Sequence, residues 1–395
     1  MSQKIAAKYV YTLDEIGLIR NGFIEYDSQG CILNIGECDE AWEDEILDGA
    51  LVPGFVNVHC HLELSHLKGR FRKGTGMAGF IDQINEMRDS STHEEKLKCI
   101  KENFDLLWNQ GVSAMADISN CADTFAFKAV SPMYTRTFLE VFGTEPEDCF
   151  SVMTSVEELR QEAIKYGLDA APTPHSCYTM SPELLVASSR EALKEGYLSY
   201  HSQESREEED MIISGTGALY ENRKRAGMST PPVTGKPSLL YFLDCLSKTG
   251  FKPISQNILL VHNLCLTPEV ADFAISMLEN VYWAICPLSN IFIHNSLPPI
   301  ELMREKGLKI CLGTDSLSSN DELNIVSEMY CLQENFPKLS LREMLIWACK
   351  NGAKFLSKDT DLGSLTIGKT PGLVLVKNLD KDGKLTKKSY SKRII

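Results

Sequence analysis

Two histidines two residues apart, His59 and His61, follow the apolar run Leu51 to Val58, which reads as a β-strand. Side chains two positions apart on a strand lie on one face, so the two imidazoles point the same way. Converging imidazoles suit a borderline divalent metal such as zinc. Alone the pair is a weak signal, because a single histidine is more often a hydrogen-bonded core residue. Two further groups change the balance. His201 ends the run Leu198 to His201, and Asp315, in Gly313-Thr314-Asp315-Ser316, follows the run Lys309 to Leu312. The four residues offer three nitrogens and one carboxylate and leave a coordination position for water, which is the pattern of a catalytic metal site. A structural zinc site is closed by four protein ligands, usually with cysteines, and no cysteine spacing in the chain fits.

The elements that must position these groups form a repeating pattern. Short apolar runs alternate with longer amphipathic stretches, as in a parallel sheet covered by helices. Eight runs read as strands: Leu51 to Val58, Val112 to Ile118, Thr135 to Val141, Leu168 to Ala171, Leu198 to His201, Ile258 to Val261, Tyr282 to Cys286 and Lys309 to Leu312. Eight such strands close a (β/α)8 barrel. His59, His61, Asp117, His175, His201, His262, Ser289, Asn290 and Asp315 all fall at or just after strand ends, on the face where barrel enzymes build their active sites. The expected class is therefore α/β, with a barrel over residues 51–360. The hairpin-like stretch Asn21 to Gly36 and the segment Gly363 to Val376 read as β structure too short to bury a core alone. Residues 1–50 and 361–395 are expected to join in one small β-sandwich domain.

Composition bounds the partners. The 395 residues exceed the roughly 250 of a barrel and leave room for that accessory domain. A net charge of -14 argues against nucleic acid or an anionic membrane, which need clustered positive charge. The acidic run Arg206 to Asp210 reads as a solvated loop or helix start. Thirteen cysteines with no C-x-x-C pair read as buried thiols in a reducing compartment. No run reaches the ~18 apolar residues of a membrane span and the N-terminus lacks a signal-peptide core, so the expected location is the cytoplasm.

The run Val52-Pro53-Gly54-Phe55-Val56-Asn57-Val58-His59-Cys60-His61 resembles the first-strand motif of the amidohydrolase superfamily. Pro174-His175-Ser176, His201-Ser202-Gln203-Glu204, Val261-His262-Asn263, Cys286-Pro287-Leu288-Ser289-Asn290 and Gly313-Thr314-Asp315 through Ser319-Asn320 follow in the order of its aminohydrolase branch. That branch holds guanine, S-adenosylhomocysteine and aminofutalosine deaminases and triazine chlorohydrolases. The resemblance makes His59, His61, His201 and Asp315 the ligands of one divalent metal, zinc with iron or manganese as alternatives. It makes Glu204, His262 and Asp315 catalytic. A divalent metal lowers the pKa of water toward about 7; Asp315 then takes its proton, His262 stabilises developing charge, and Glu204 carries a proton to a ring nitrogen. Binuclear members bridge two metals from the fourth strand, where Gly167 to Thr173 offers only Asp169, so a single metal is expected. The implied reaction is hydrolytic deamination of a purine- or nucleoside-like heterocycle, and a homodimer is the family expectation.

The resemblance places His175 at the substrate, where a core or capping role is the alternative. Ser319 and Asn320 match positions that contact the heterocycle, against a helix N-cap before Glu322. Glu63 fits either a substrate hydroxyl or a hydrogen bond behind the ligands. Arg136 and Glu140 alternate with apolar neighbours on the third strand, which allows both to point into the barrel, and structural ion pairing is the expected role of both. His61-Leu62-Glu63 imitates the H-x-E of cytidine deaminases without their P-C-x-x-C. His93-Glu94-Glu95-Lys96-Leu97 imitates H-E-x-x-H but ends in leucine. His66, His93 and His294 read as surface or packing residues. The segment Arg206 to Gly235 is expected to form a lid or pocket wall. Loss of another leaving group such as halide, opening of a cyclic amide, and a non-catalytic scaffold of the same fold are the competing functions.

Overall fold

The computed structural model describes residues 2–395. Six strands are drawn from the chain ends and their neighbours: β1 (Gln3–Tyr11), β2 (Leu18–Tyr26), β3 (Ile32–Glu37), β4 (Ile46–Pro53), β13 (Leu373–Lys377) and β14 (Tyr390–Arg393). Between them run β5 (Phe55–Cys60), β6 (Val112–Ser119), β7 (Tyr134–Val141), β8 (Asp169–Pro174), β9 (Tyr197–Ser202), β10 (Ile254–His262), β11 (Leu278–Ile285) and β12 (Ile310–Leu312). The class is α/β, with helices between consecutive strands of the central set.

The central strands form two parallel four-stranded runs, β5-β6-β7-β8 and β12-β11-β10-β9. Between β8 and β9 a side chain replaces the missing ladder: Thr173 Oγ1 accepts from the Ser199 amide at 2.9 Å and donates to its carbonyl at 2.6 Å. Beyond it the His201 amide donates to the His175 carbonyl at 2.9 Å. Between β5 and β12, Cys60 bridges Asp315 in parallel, and the Thr314 and Asp315 amides both donate to the His59 carbonyl at 3.0 Å. Asn57 reinforces this contact, its Nδ2 donating to Thr314 Oγ1 at 2.8 Å. Gly313 permits it, since a Cβ there would lie 2.8 Å from His59 Cβ and 2.9 Å from its carbonyl oxygen. β5, β6 and β12 are buried along their whole lengths, as expected of parallel strands covered on both faces.

The terminal strands form one mixed sheet, ordered β14-β13-β4-β1-β2-β3, where the sequence reading expected a sandwich. Its second face is covered by the rest of the molecule: Tyr9, Tyr11, Val374 and Val376 join the main core, while Val10, Ile24, Leu373 and Leu375 make a separate cluster on the other side. The run Leu51 to Val58 is divided. Gly54, where a Cβ would meet Ser113 Oγ at 1.9 Å, separates β4 in the terminal sheet from β5 in the central set. Gly363 to Gly368 is turn rather than strand, and clips the sheet through Leu365 N to Thr12 O at 2.8 Å and Gly368 N to Ile32 O at 2.8 Å. The H-E-x-x-H lookalike is a helix start: Thr92 and Glu95 form a reciprocal capping box for the helix His93–Asn109. No helix among the described residues is long and apolar enough to cross a membrane.

Candidate metal centre and active site

The ends of β5, β9, β10 and β12 bring His59, His61, His201, His262 and Asp315 together. His61 Nε2 lies 3.2 Å from His59 Nε2, and Asp315 Oδ1 lies 3.6 Å and 3.9 Å from the two. Three overlapping sets have ligand atoms within 4.8 Å of one another: His59, His61 and Asp315; His59, His201 and His262; His61, Glu140 and His201. Every one of these residues is buried.

Burial sets the protonation states. Desolvation holds His59 and His201 well below the usual histidine range and pushes His262 down to about 4, so the rings are neutral at pH 7. Burial alone would raise Asp315, but His61 and His262 with the Ser289 hydroxyl hold it below the usual carboxylate value. The short separations gather ring nitrogens and a carboxylate oxygen in one place. Donors this close repel unless a proton or cation sits among them.

Neighbours assign the remaining atoms. His201 Nδ1 faces the His175 carbonyl at 3.1 Å, so it carries the ring proton and Nε2 keeps its lone pair. Asn290 Nδ2 donates to His262 Nδ1 at 3.1 Å, which puts the proton of that ring on Nε2, 3.4 Å from Glu204 Oε1. His262 thus presents a donor where His201 presents a lone pair. Ser289 and Ser319 donate to Asp315 Oδ2 at 2.6 and 3.1 Å, leaving Oδ1 toward the histidines. Burial, then the charge of Asp315, pushes Glu204 well above the usual carboxylate range, and Tyr178 donates to its Oε2 at 2.9 Å. A proton-carrying carboxyl therefore sits beside the cluster.

Backbone strain collects at the same place. His262 and Asp315 have φ of 76° and 58°, in the left-handed region that non-glycine residues avoid. Each such residue costs on the order of 1–3 kcal/mol and persists where surrounding structure enforces it.

A cavity of about 360 Å³ opens on His61, His201, Glu204 and Asp315, with Met77, Phe80, Ile81 and Phe142 as an apolar wall. It also takes in His175 and Glu63. His175 stacks on His201 with ring centroids 4.4 Å apart and bonds Ser176 and Thr179 through Nδ1 at 2.8 Å. Glu63 accepts from the Asn120 amide at 2.8 Å and has Arg88 3.7 Å away. Ser319 and Asn320 do not line the cavity. Ser319 is spent on Asp315, and Asn320 Nδ2 donates to the Thr314 carbonyl and to Glu328.

Glu140 departs from the sequence reading. Arg136 does make a structural pair, with Asp169 near the opposite end of the strand. Glu140 instead points into the cavity, with Oε1 buried, unbonded and 3.8 Å from His201 Nδ1. Its place near the C-terminal end of β7 was the available signal. Asp169 is taken by Arg136 and Tyr134, away from the donor cluster. The acidic run after β9 starts the helix Arg206–Ser214, one of its two expected readings, but Glu208 and Glu209 are buried in it. Glu207 accepts from the Met77 and Ala78 amides, Glu208 from Glu204 N, and Glu209 from Ser238 N. His66 packs against the Glu63 and Arg88 carbonyls, His93 is exposed, and His294 is half-buried.

Residues 50–393 match the amidohydrolase family. The adenosine deaminase of Helicobacter pylori is 25% identical over 328 residues, covering 78% of this chain and 75% of that protein. The aminodeoxyfutalosine deaminase of a Nitratiruptor species is 26% identical over 340 residues, covering 82% and 78%. The crystal structure of Helicobacter pylori aminofutalosine deaminase in complex with methylthio-coformycin has the same fold, with a TM-score of 0.80 at 22% identity and all of both chains covered.

Proposed function

The chain belongs to the amidohydrolase family, and from that premise we propose that it is a metal-dependent hydrolase that removes an amino group from a nitrogen heterocycle of purine or nucleoside type, releasing ammonia. The observation that carries the reading is one cavity that opens on His61, His201 and Asp315 of the converging donor set and on the buried carboxyl of Glu204, which keeps its proton. Relatives named as deaminases support the same chemistry.

The residues suit one divalent cation, zinc by donor type, held by His59, His61, His201 and Asp315. Two Nε2 atoms at 3.2 Å with a carboxylate oxygen beside them are a donor set in need of a cation. When bound, the metal supplies a Lewis acid that makes water ionisable near neutral pH. In the reaction Asp315 Oδ1 takes a proton from the attacking water. The Nε2–H of His262 orients that water and stabilises the oxygen as charge develops on the former amidine carbon. Glu204 gives its proton to the adjacent ring nitrogen; it then takes the remaining proton of the added hydroxyl, while Asp315 passes the proton it took to the amino group, whose carbon–nitrogen bond breaks to release ammonia. Tyr178 steadies Glu204 through Oε2. We read the eight central strands as a closed (β/α)8 barrel whose C-terminal ends carry these groups, with residues 1–50 and 361–395 as its accessory β domain. The thirteen free cysteines fit a cytoplasmic setting.

The test is a product screen of the metal-replete protein against aminopurines, aminopterins, adenine nucleosides and chlorotriazines. Ammonia release from an amino heterocycle supports the proposal. Release of chloride alone, or of nothing across the panel, contradicts it.

A further inference from the structure

Arg223 is a cation without an anion. It lies in the helix Ala218–Arg225, inside the segment after β9, and is only 8% exposed. It lines the same cavity as His61, His201 and Glu204. Its one hydrogen bond runs from Nη1 to Met228 Sδ at 3.2 Å, a weak acceptor, and among the described residues no carboxylate lies within ion-pair distance of it. A guanidinium keeps its charge and carries five N–H donors, so burying it without a partner is unfavourable unless something else supplies the acceptors.

Acidic partners are not scarce. The chain has 54 acidic against 40 basic residues, and Arg225, two positions on, meets Asp82 at 3.7 Å on the surface. Arg223 is turned the other way. It shares the lining of that cavity with His175, Tyr178 and Glu204. The reacting centre has to hold the amidine carbon between Asp315 and Glu204, so a group carried elsewhere on the ligand meets the rest of the lining, where Arg223 lies.

We infer that Arg223 binds an anionic group carried by the substrate away from its amidine carbon, so that the substrate is an amino-substituted nucleoside bearing a carboxylate or phosphate. This inference rests on the deamination reading given above. Planar, bidentate recognition of either anion is what a guanidinium does best. The segment 206–235, which carries no decodable motif, thereby acquires a role as the wall that selects charge.

The test uses matched pairs on the full-length, metal-replete protein. One pair is a 5′-deoxy-5′-(carboxypropylthio)adenosine and its neutral primary amide; the other is adenosine 5′-monophosphate and adenosine. Ammonia release gives kcat/KM for each, and calorimetry gives Kd for the corresponding inosine products, which needs no turnover. An anionic member preferred on the order of 10- to 100-fold over its neutral partner is expected, as for a charge-assisted hydrogen bond. Whichever pair shows the preference identifies carboxylate or phosphate. In Arg223→Gln the ratio should fall to near one, and Arg223→Lys should restore part of it. Wild-type ratios near one in both pairs, or an unchanged ratio in Arg223→Gln, would overturn the inference, and the wild-type ratios decide if the variants do not fold. Ammonia from neutral members with ratios near one would leave deamination standing without the anion site. Arg223-dependent binding of anionic products with no ammonia from any probe would leave the anion site standing without deamination.

Discussion

Replacing Gly313 with alanine tests how the donor cluster is assembled, because this glycine sits where the end of β12 meets the end of β5. A Cβ at this position would lie 2.8 Å from His59 Cβ, 2.9 Å from the His59 carbonyl oxygen and 3.0 Å from Cys286 Sγ. Ordinary contact begins near 3.4 Å, so the two strand ends must part by about 0.5 Å. The His59 oxygen cannot yield alone, since it accepts the Thr314 and Asp315 amides at 3.0 Å. The parting therefore moves Asp315 away from His59 and His61. Overpacking of this kind costs typically ~1–3 kcal/mol of stability. Misplacement of a reacting group by ~1 Å can cost ~100-fold in rate, so half that shift should lower kcat by roughly tenfold. Thermal unfolding, metal analysis and kcat on purified Gly313→Ala should show a folded protein, weaker metal retention and slower turnover. Wild-type stability together with wild-type kcat would refute the claim that this close approach sets the site.

Glu204→Gln should keep the metal and lose roughly 100- to 10,000-fold in kcat, the usual worth of a positioned proton donor; full activity in a metal-replete variant would remove Glu204 from the reaction. His175→Ala should raise KM more than it lowers kcat, because the ring lines the cavity while its Nδ1 is engaged by Ser176 and Thr179; loss of the metal instead would assign it to supporting His201. Glu208, pushed up to about 7 by burial and then by Glu209, should make stability fall with pH. The fold favours its protonated form, so its contribution is full below about 4.5 and lost as pH rises through about 7, a swing on the order of 3 kcal/mol. Denaturant unfolding at pH 5 and pH 8 should show a steeper loss for the wild type than for Glu208→Gln, and equal slopes would contradict this.

The strand ends were readable because burial on both faces leaves uninterrupted apolar runs, and polar residues directly after such runs have few reasons to exist other than the site. His59, His61, His201, His262 and Asp315 were found in that way. Glu140 was missed because alternation alone treats Arg136 and Glu140 alike, although they lie toward opposite ends of β7. Position along the strand separates them: four residues span about 13 Å, enough to move a side chain from a structural ion pair to the cavity. The acidic run does begin a helix, as one of its readings had it, but the burial of Glu208 and Glu209 was not foreseen, for another reason. Carboxylates at a helix start can cap amides of their own or neighbouring segments, as Glu207 does at Met77 and Ala78, and composition does not show which amides lie within reach. Arg223 was not legible at all. Its meaning lies in the partner it lacks, which only the packed structure reveals. The split of the first strand at Gly54 follows from the close approach of Ser113, a contact between distant parts of the chain.

Whether one metal held by His59, His61, His201 and Asp315 is required for ammonia release is decided by reconstitution. The protein is stripped with a chelator, zinc is returned in measured fractions of an equivalent, and the initial rate of ammonia release from an adenine nucleoside accepted by the untreated enzyme is recorded at each step. No release is expected without metal, with a linear rise to one equivalent per chain and a plateau beyond it. Turnover by the stripped protein, or a rate that keeps rising to two equivalents, would contradict the one-metal requirement.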